Sequence, residues 1–114
     1  MSRRYFHTTD AAAAILADGF HDGEGSYMLV GVTLRGVFIS DVPVDCNEGA
    51  TGDQVLEVVL PDWTDLADFE LIEDGKPYRE WCVPAALLNT WATVRLLDED
   101  EVDTAALQWR QGWT

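Results

Sequence analysis

Turn-forming residues cut this sequence into short apolar pieces, and that restricts it to short strands and short helices. Gly19, Gly36, Pro43, Pro61, the Asp74-Gly75-Lys76-Pro77 tetrapeptide and Pro84 each interrupt an apolar run. Glycine and proline at such points end an element and do not extend it. The pieces between them read as strands at Tyr5–Thr8, Tyr27–Leu34, Gly36–Ser40, Gln54–Leu60, Tyr78–Val83 and Ala92–Leu97. Gln54–Leu60 is the clearest of these, with apolar residues on both faces apart from Glu57, as in an inner strand. A helix is predicted from a cap at Asp10 through Asp18, with Ile15 and Leu16 toward the core and Gly19 closing it. Pro84–Asn89 reads as a helical turn with Pro84 at its first position. Leu66–Ile72 fits either a short strand or a helical turn. His21–Ser26 and Cys46–Asp53 read as glycine-containing loops, and Thr104–Arg110 as a short terminal helix after an acidic run, Asp98–Asp103. Strands that do not alternate with helices predict an α+β fold.

Length and charge narrow the function. A chain of 114 residues, 47% hydrophobic and 25% charged, has the size and composition of one domain with its own core. The domain is expected over 1–114, with a core at about 5–97 and an acidic segment at 98–114. No apolar run approaches the roughly 18 residues of a membrane span. Met1-Ser2-Arg3-Arg4 has no apolar stretch behind it, so the expected compartment is the cytoplasm. Cys46 and Cys82 are too few for a disulfide framework and read as free thiols. A formal net charge of −14 argues against binding a nucleic-acid backbone or an anionic membrane and permits a basic protein partner. It also serves solubility alone.

Three residues stand out as chemical candidates, each with a plain structural alternative. His7 sits at the border of a strand and a helix, where a histidine is more often a packing residue than a catalyst. Glu80 lies inside a strand in Tyr78-Arg79-Glu80-Trp81-Cys82-Val83, and alternation puts Tyr78, Glu80 and Cys82 on one face. A carboxylate there requires a partner, and a salt bridge to arginine is the ordinary one. Phe38 is an aromatic in a strand and would ordinarily be core. His21, Asp22 and Glu24 share one loop, but their spacing matches no zinc or calcium pattern. The chain holds no dinucleotide-binding or phosphate-binding glycine motif and no serine nucleophile elbow.

Taken in order, these segments resemble the ADP-ribosyltransferase superfamily of the diphtheria-toxin and poly-ADP-ribose-polymerase type, and its small rifampin-modifying members. His7-Thr8-Thr9 followed by Ile15-Leu16-Ala17-Asp18-Gly19-Phe20 is similar to the first family motif. Gly36-Val37-Phe38-Ile39-Ser40 is similar to the second, and Glu80-Trp81-Cys82-Val83 to the third. The resemblance implies two small, mainly antiparallel sheets packed together with one or two short helices. It implies NAD as substrate, with Glu80 and His7 as the catalytic pair. His7, Thr8, Thr9, Phe38 and Ser40 would bind NAD, with Tyr27 or Tyr78 closing over the nicotinamide. Phe38 stands where the family has tyrosine, so stacking is kept and a hydroxyl lost. Thr8 stands where many relatives have glycine.

The function this implies is an NAD-dependent ADP-ribosyltransferase or a related NAD-consuming enzyme that cleaves the nicotinamide–ribose bond onto an acceptor of unknown kind. Its transition state is oxocarbenium-like, as in glycoside cleavage, and a nearby carboxylate stabilises it. The alternative is a non-enzymatic acidic binding module on the same fold, docking a basic partner.

Overall fold

The computed structural model of the chain describes residues 2–26, 33–43, 54–71 and 78–111. Its elements are β1 (Ser2–Thr9), α1 (Ala12–Asp18), β2 (Gly23–Ser26), β3 (Thr33–Ser40), β4 (Gln54–Pro61), a 3₁₀ turn (Ala67–Phe69), β5 (Glu70–Leu71), β6 (Glu80–Val83), α2 (Ala85–Trp91), β7 (Thr93–Leu96) and α3 (Glu99–Gln111). The α+β class is as the sequence predicts. Among the described residues the two expected sheets are instead one seven-stranded sheet of order β5-β6-β3-β1-β4-β7, with β2 also on β3, and every pairing is antiparallel. The reason is β1, which pairs with β4 along eight residues and with β3 at Phe6↔Ser40 alone. One shared pair joins what would otherwise be two sheets and leaves β1 and β3 to diverge beyond it.

Side-chain alternation explains where the core sits. In β6, Trp81 and Val83 are buried, while Glu80 and Cys82 are half-buried on the other face. In β4, Leu56, Val58 and Leu60 enter the main core with Tyr5, Ile39, Trp81, Val83 and Leu88, whereas Val55 joins Phe6, Leu97 and Ala105 beneath α3. Gln54–Leu60 is thus an inner strand with both faces apolar, as expected, lying between β1 and β7. Each large side chain of this kind contributes about 1.5–3 kcal/mol on burial.

The helices differ from expectation in informative ways. Among the described residues there are three, not one or two. The cap position of α1 is Ala11, whose N–H is accepted by Thr9 Oγ1 at 3.0 Å, and Asp10 is exposed. Ala12 is the buried residue of α1 and Ile15 packs on the core, but Leu16 is exposed. Pro84 is the cap of α2 and not its first residue. Its missing side-chain cap is replaced by Asp22, whose Oδ1 accepts the Ala85 N–H at 2.8 Å. The acidic run does not precede the last helix but forms its start: Asp98 Oδ1 accepts the Glu101 N–H at 2.8 Å, and Glu101 reaches back to the Asp98 N–H. That reciprocal pair is a capping box, and acidic side chains in the first turn suit the positive end of the helix dipole. Glu101 also bonds Arg95 on β7, which faces Glu57 on β4, which bonds Arg4 on β1.

The segment Leu66–Ile72 resolves into the 3₁₀ turn followed by β5. Gly23–Ser26, expected in a loop, is the strand β2, because backbone pairing to Thr33–Gly36 overrides a polar, glycine-rich composition. Residues 27–32 of the expected Tyr27–Leu34 strand, including Tyr27, lie outside the described residues, as does the whole Cys46–Asp53 loop.

Candidate functional site

Where β1 and β3 part, a cavity of about 340 Å³ opens. One wall is β1 and α1, through His7, Thr9, Ala14 and Ile15, and the other is Gly36, Val37 and Phe38 of β3. The Asp18–His21 connection and Gly23 close the end. The fork exists because β1 stops bonding β3 after Phe6. His7 then bridges the gap with its side chain: Nδ1 lies 2.7 Å from the Phe38 carbonyl oxygen. A carbonyl only accepts, so Nδ1 carries the hydrogen, and Nε2 of the neutral ring is an acceptor. Burial lowers the His7 pKa below its ordinary value, against the opposing pull of the Phe38 carbonyl. The ring is therefore neutral at pH 7. Phe20 packs edge-on against it with centroids 5.5 Å apart.

Two glycines shape the fork. At Gly19 φ is +89°, a conformation that side chains resist, and a Cβ there would lie 2.9 Å from Asn89 Oδ1. At Gly36 a Cβ would meet Cys82 Sγ at 2.9 Å and the Val83 carbonyl at 3.0 Å. Both positions fall inside segments that the sequence marks out, Ile15–Phe20 and Gly36–Ser40.

Of the residues the sequence singled out, His7, Thr9 and Phe38 line the cavity. Thr9 is buried and its hydroxyl accepts from Ala11. Thr8 is half-buried and does not line the cavity. Ser40 is buried, and its hydroxyl donates to the Val42 carbonyl at 2.6 Å, so it serves the backbone and not the cavity. Tyr78, half-buried, precedes β6 and is not part of the wall, and Tyr27 lies outside the described residues.

Glu80 is not part of the wall either. It stands opposite Ser40, two residues along β6 from Cys82, which stands opposite Phe38. Register places Phe38, Ser40, Cys82 and Glu80 on one face of β3 and β6, so the aromatic ring and the carboxylate are diagonal neighbours. Burial pushes the Cys82 thiol up, and the charges of Asp22 and Glu80 push it further. The His7 ring turns to the face that holds Phe20 and the main core. The Phe38–Glu80 pair belongs to the opposite face, since its strand neighbours Val37, Ile39, Trp81 and Val83 are the ones in the main core.

Sequence reasoning missed Asn89 as part of this region, whereas Asp18 lies inside the motif that ends at Phe20, and His21 and Gly23 lie in the polar loop after it. Asn89 is remote in sequence and no local pattern marks it. Among the described residues no cluster of His, Cys, Asp or Glu is arranged to hold a metal, and no helix is long and apolar enough to cross a membrane. Comparison of the chain with family models, with curated proteins and with solved structures returned no match.

Proposed function

We propose that the fork between β1 and β3 binds NAD and that the chain is an NAD-dependent ADP-ribosyltransferase or a close NAD-consuming relative. The observation that carries this reading is the cavity itself: an opening in the sheet walled by His7, Thr9 and Phe38, with Glu80 diagonal to Phe38. A volume of about 340 Å³ lies at the lower end of small-molecule sites and takes part of a dinucleotide. The apolar wall of Ala14, Ile15 and Phe20 suits a heterocycle, and a neutral His7 offers Nε2 to a sugar hydroxyl. Phe38 offers a ring for stacking on nicotinamide. In the reaction the nicotinamide leaves with the bonding electron pair, Glu80 stabilises the positive ribose carbon, and water or an acceptor forms the new bond. Among the described residues the wall holds no lysine or arginine, and the diphosphate is assigned to the open, solvent side. The acceptor is unknown, and a nucleic-acid backbone fits a charge of −14 poorly.

The placement of Glu80 outside the cavity wall, on the sheet face away from Trp81 and Val83, favours a second reading, in which the fold binds a ligand or a basic protein partner without turnover. One assay separates the two. Nicotinamide release from NAD is followed for the wild type and Glu80→Gln, with NAD binding measured by calorimetry. On the first reading the wild type turns over and Glu80→Gln loses on the order of a hundredfold or more in rate with binding largely kept. Binding without release in the wild type selects the second reading, and absence of both removes NAD from the account.

A further inference from the structure

The end wall of the cavity is held in place from outside, by the second helix. Asn89, near the end of α2, makes two bonds to the backbone of one residue: Oδ1 accepts the Phe20 N–H at 2.7 Å, and Nδ2 donates to the Phe20 carbonyl at 2.9 Å. The primary amide thus pairs with Phe20 as a neighbouring strand would. Gly19 lets the chain come this close, since a Cβ there would lie within 3.4 Å of three atoms of the same amide. Two residues further on, Asp22 accepts the N–H of Ala85 at the start of α2.

The spacing of these ties fits. Ala85 and Asn89 are four helical residues apart, about 6 Å at 1.5 Å per residue. Phe20 and Asp22 are two residues apart, about 6.6 Å in extended chain. The connection between α1 and β2 therefore lies along α2 and is fastened at both ends.

Helix preference does not explain Asn89. Asparagine is a weaker helix former than alanine, the residue is exposed, and α2 keeps its core anchors in Ala85 and Leu88. What the amide does is fix Phe20, and Phe20 is the ring that packs on His7 and closes the cavity.

We propose that Asn89 is a positioning residue for the cavity: by clamping the Phe20 backbone it holds the aromatic wall against His7 and so sets how tightly the nucleotide is held. The ligand half of this statement rests on the NAD reading above, and the clamp itself does not. The clamp acts on binding and not on the chemical step, because Asn89 holds the wall from outside and does not line the cavity.

The test compares Asn89→Ala, Asn89→Asp and, as a control on the same exposed helix surface, Thr90→Ala, whose hydroxyl bonds only within the helix to Ala86. Calorimetry with NAD is expected to show Asn89→Ala weaker by about tenfold, the worth of two hydrogen bonds, with kcat little changed and KM raised. Asn89→Asp keeps the acceptor and loses the donor, so it falls between Asn89→Ala and the wild type. Thr90→Ala matches the wild type. Without ligand, hydrogen exchange at the Phe20 amide is expected to accelerate in Asn89→Ala, and the His7 ring resonances to shift as Phe20 moves. Unchanged NAD affinity beside an unchanged Phe20 amide overturns the proposal, and so does a loss confined to kcat. If the wild type does not bind NAD, the NAD reading fails, and the Phe20 exchange and His7 resonances alone decide the clamp.

Discussion

The two sides of β1 are built in opposite ways. Toward β4 it is paired along its whole length, Ser2↔Pro61 through Thr9↔Gln54, over a core of fully buried Leu56, Val58 and Leu60. Toward β3 it shares only Phe6↔Ser40, and beyond that a histidine side chain takes the place of a backbone bond. The first side contributes cohesion. The second leaves backbone and side chains facing a gap, which is what a ligand site requires. On the binding function proposed above, stability and binding fall to different edges of one strand, and substitutions on the two sides should separate them.

The largest effect is expected from Leu56→Ala on the paired side. Leu56 has no exposed surface, and removing such a side chain costs about 2–5 kcal/mol. Chemical denaturation should show that loss, with NAD affinity per folded molecule unchanged. A cost below about 1 kcal/mol would mean that this side is not the stable one.

Gly36→Ala acts on the fork and is expected to be smaller, about 1–3 kcal/mol as an overpacking change. Its new methyl meets both Cys82 Sγ and the Val83 carbonyl. Adding Cys82→Ala should relieve only part of the cost, because the backbone contact remains. Full recovery in the double variant would show that β3 and β6 can separate freely.

The smallest effect sharpens the comparison through pH. His7 has a lowered pKa because it is buried, so the unfolded chain binds the proton more readily than the folded one. Its contribution to stability is full above the ordinary histidine value of about 6.5 and declines as pH falls through the lowered folded value. The carboxylates of Glu70 and Glu101 are lowered by hydrogen bonds to Arg79 and Arg95. They act in the same direction in a separate window, below the ordinary glutamate range, and their exposure makes them weak. Melting followed from pH 7.5 to 5 should fall for the wild type and flatten for His7→Gln. An equally steep fall in the variant would place the sensitive group elsewhere.

Local features were legible in the sequence and non-local ones were not. Gly19 as a helix stop, the inner position of Gln54–Leu60 and the faces of Trp81 and Val83 follow from residue preference and from period two. The strand at Gly23–Ser26 was hidden because pairing with β3 decides it, and polar composition speaks against it. The Asp98–Glu101 capping box was present in the sequence, and applying its three-residue spacing would have extended the last helix back through the acidic run. The join at Phe6↔Ser40 had no such sign. Whether two groups of strands share one pair or none depends on the angle at which they meet, and that is set by the whole core. Around the cavity, the motif order led to His7, Thr9 and Phe38, while the burial of Ser40 and its bond to the Val42 carbonyl are tertiary facts with no local sign. Asn89 acts across a separation of 69 residues, beyond the reach of any local pattern.

The sheet also ends in a particular manner. Among the described residues the outermost strand on one side is β5, two residues long, beside the Glu70–Arg79 ion pair. On the other it is β7, four residues long, carrying Arg95 and followed directly by α3. Short, charged outer strands make poor templates for a further strand from another molecule. At high concentration the chain should resist edge-to-edge fibre formation even though its sheet is open, and the acidic start of α3 adds repulsion between neighbouring copies.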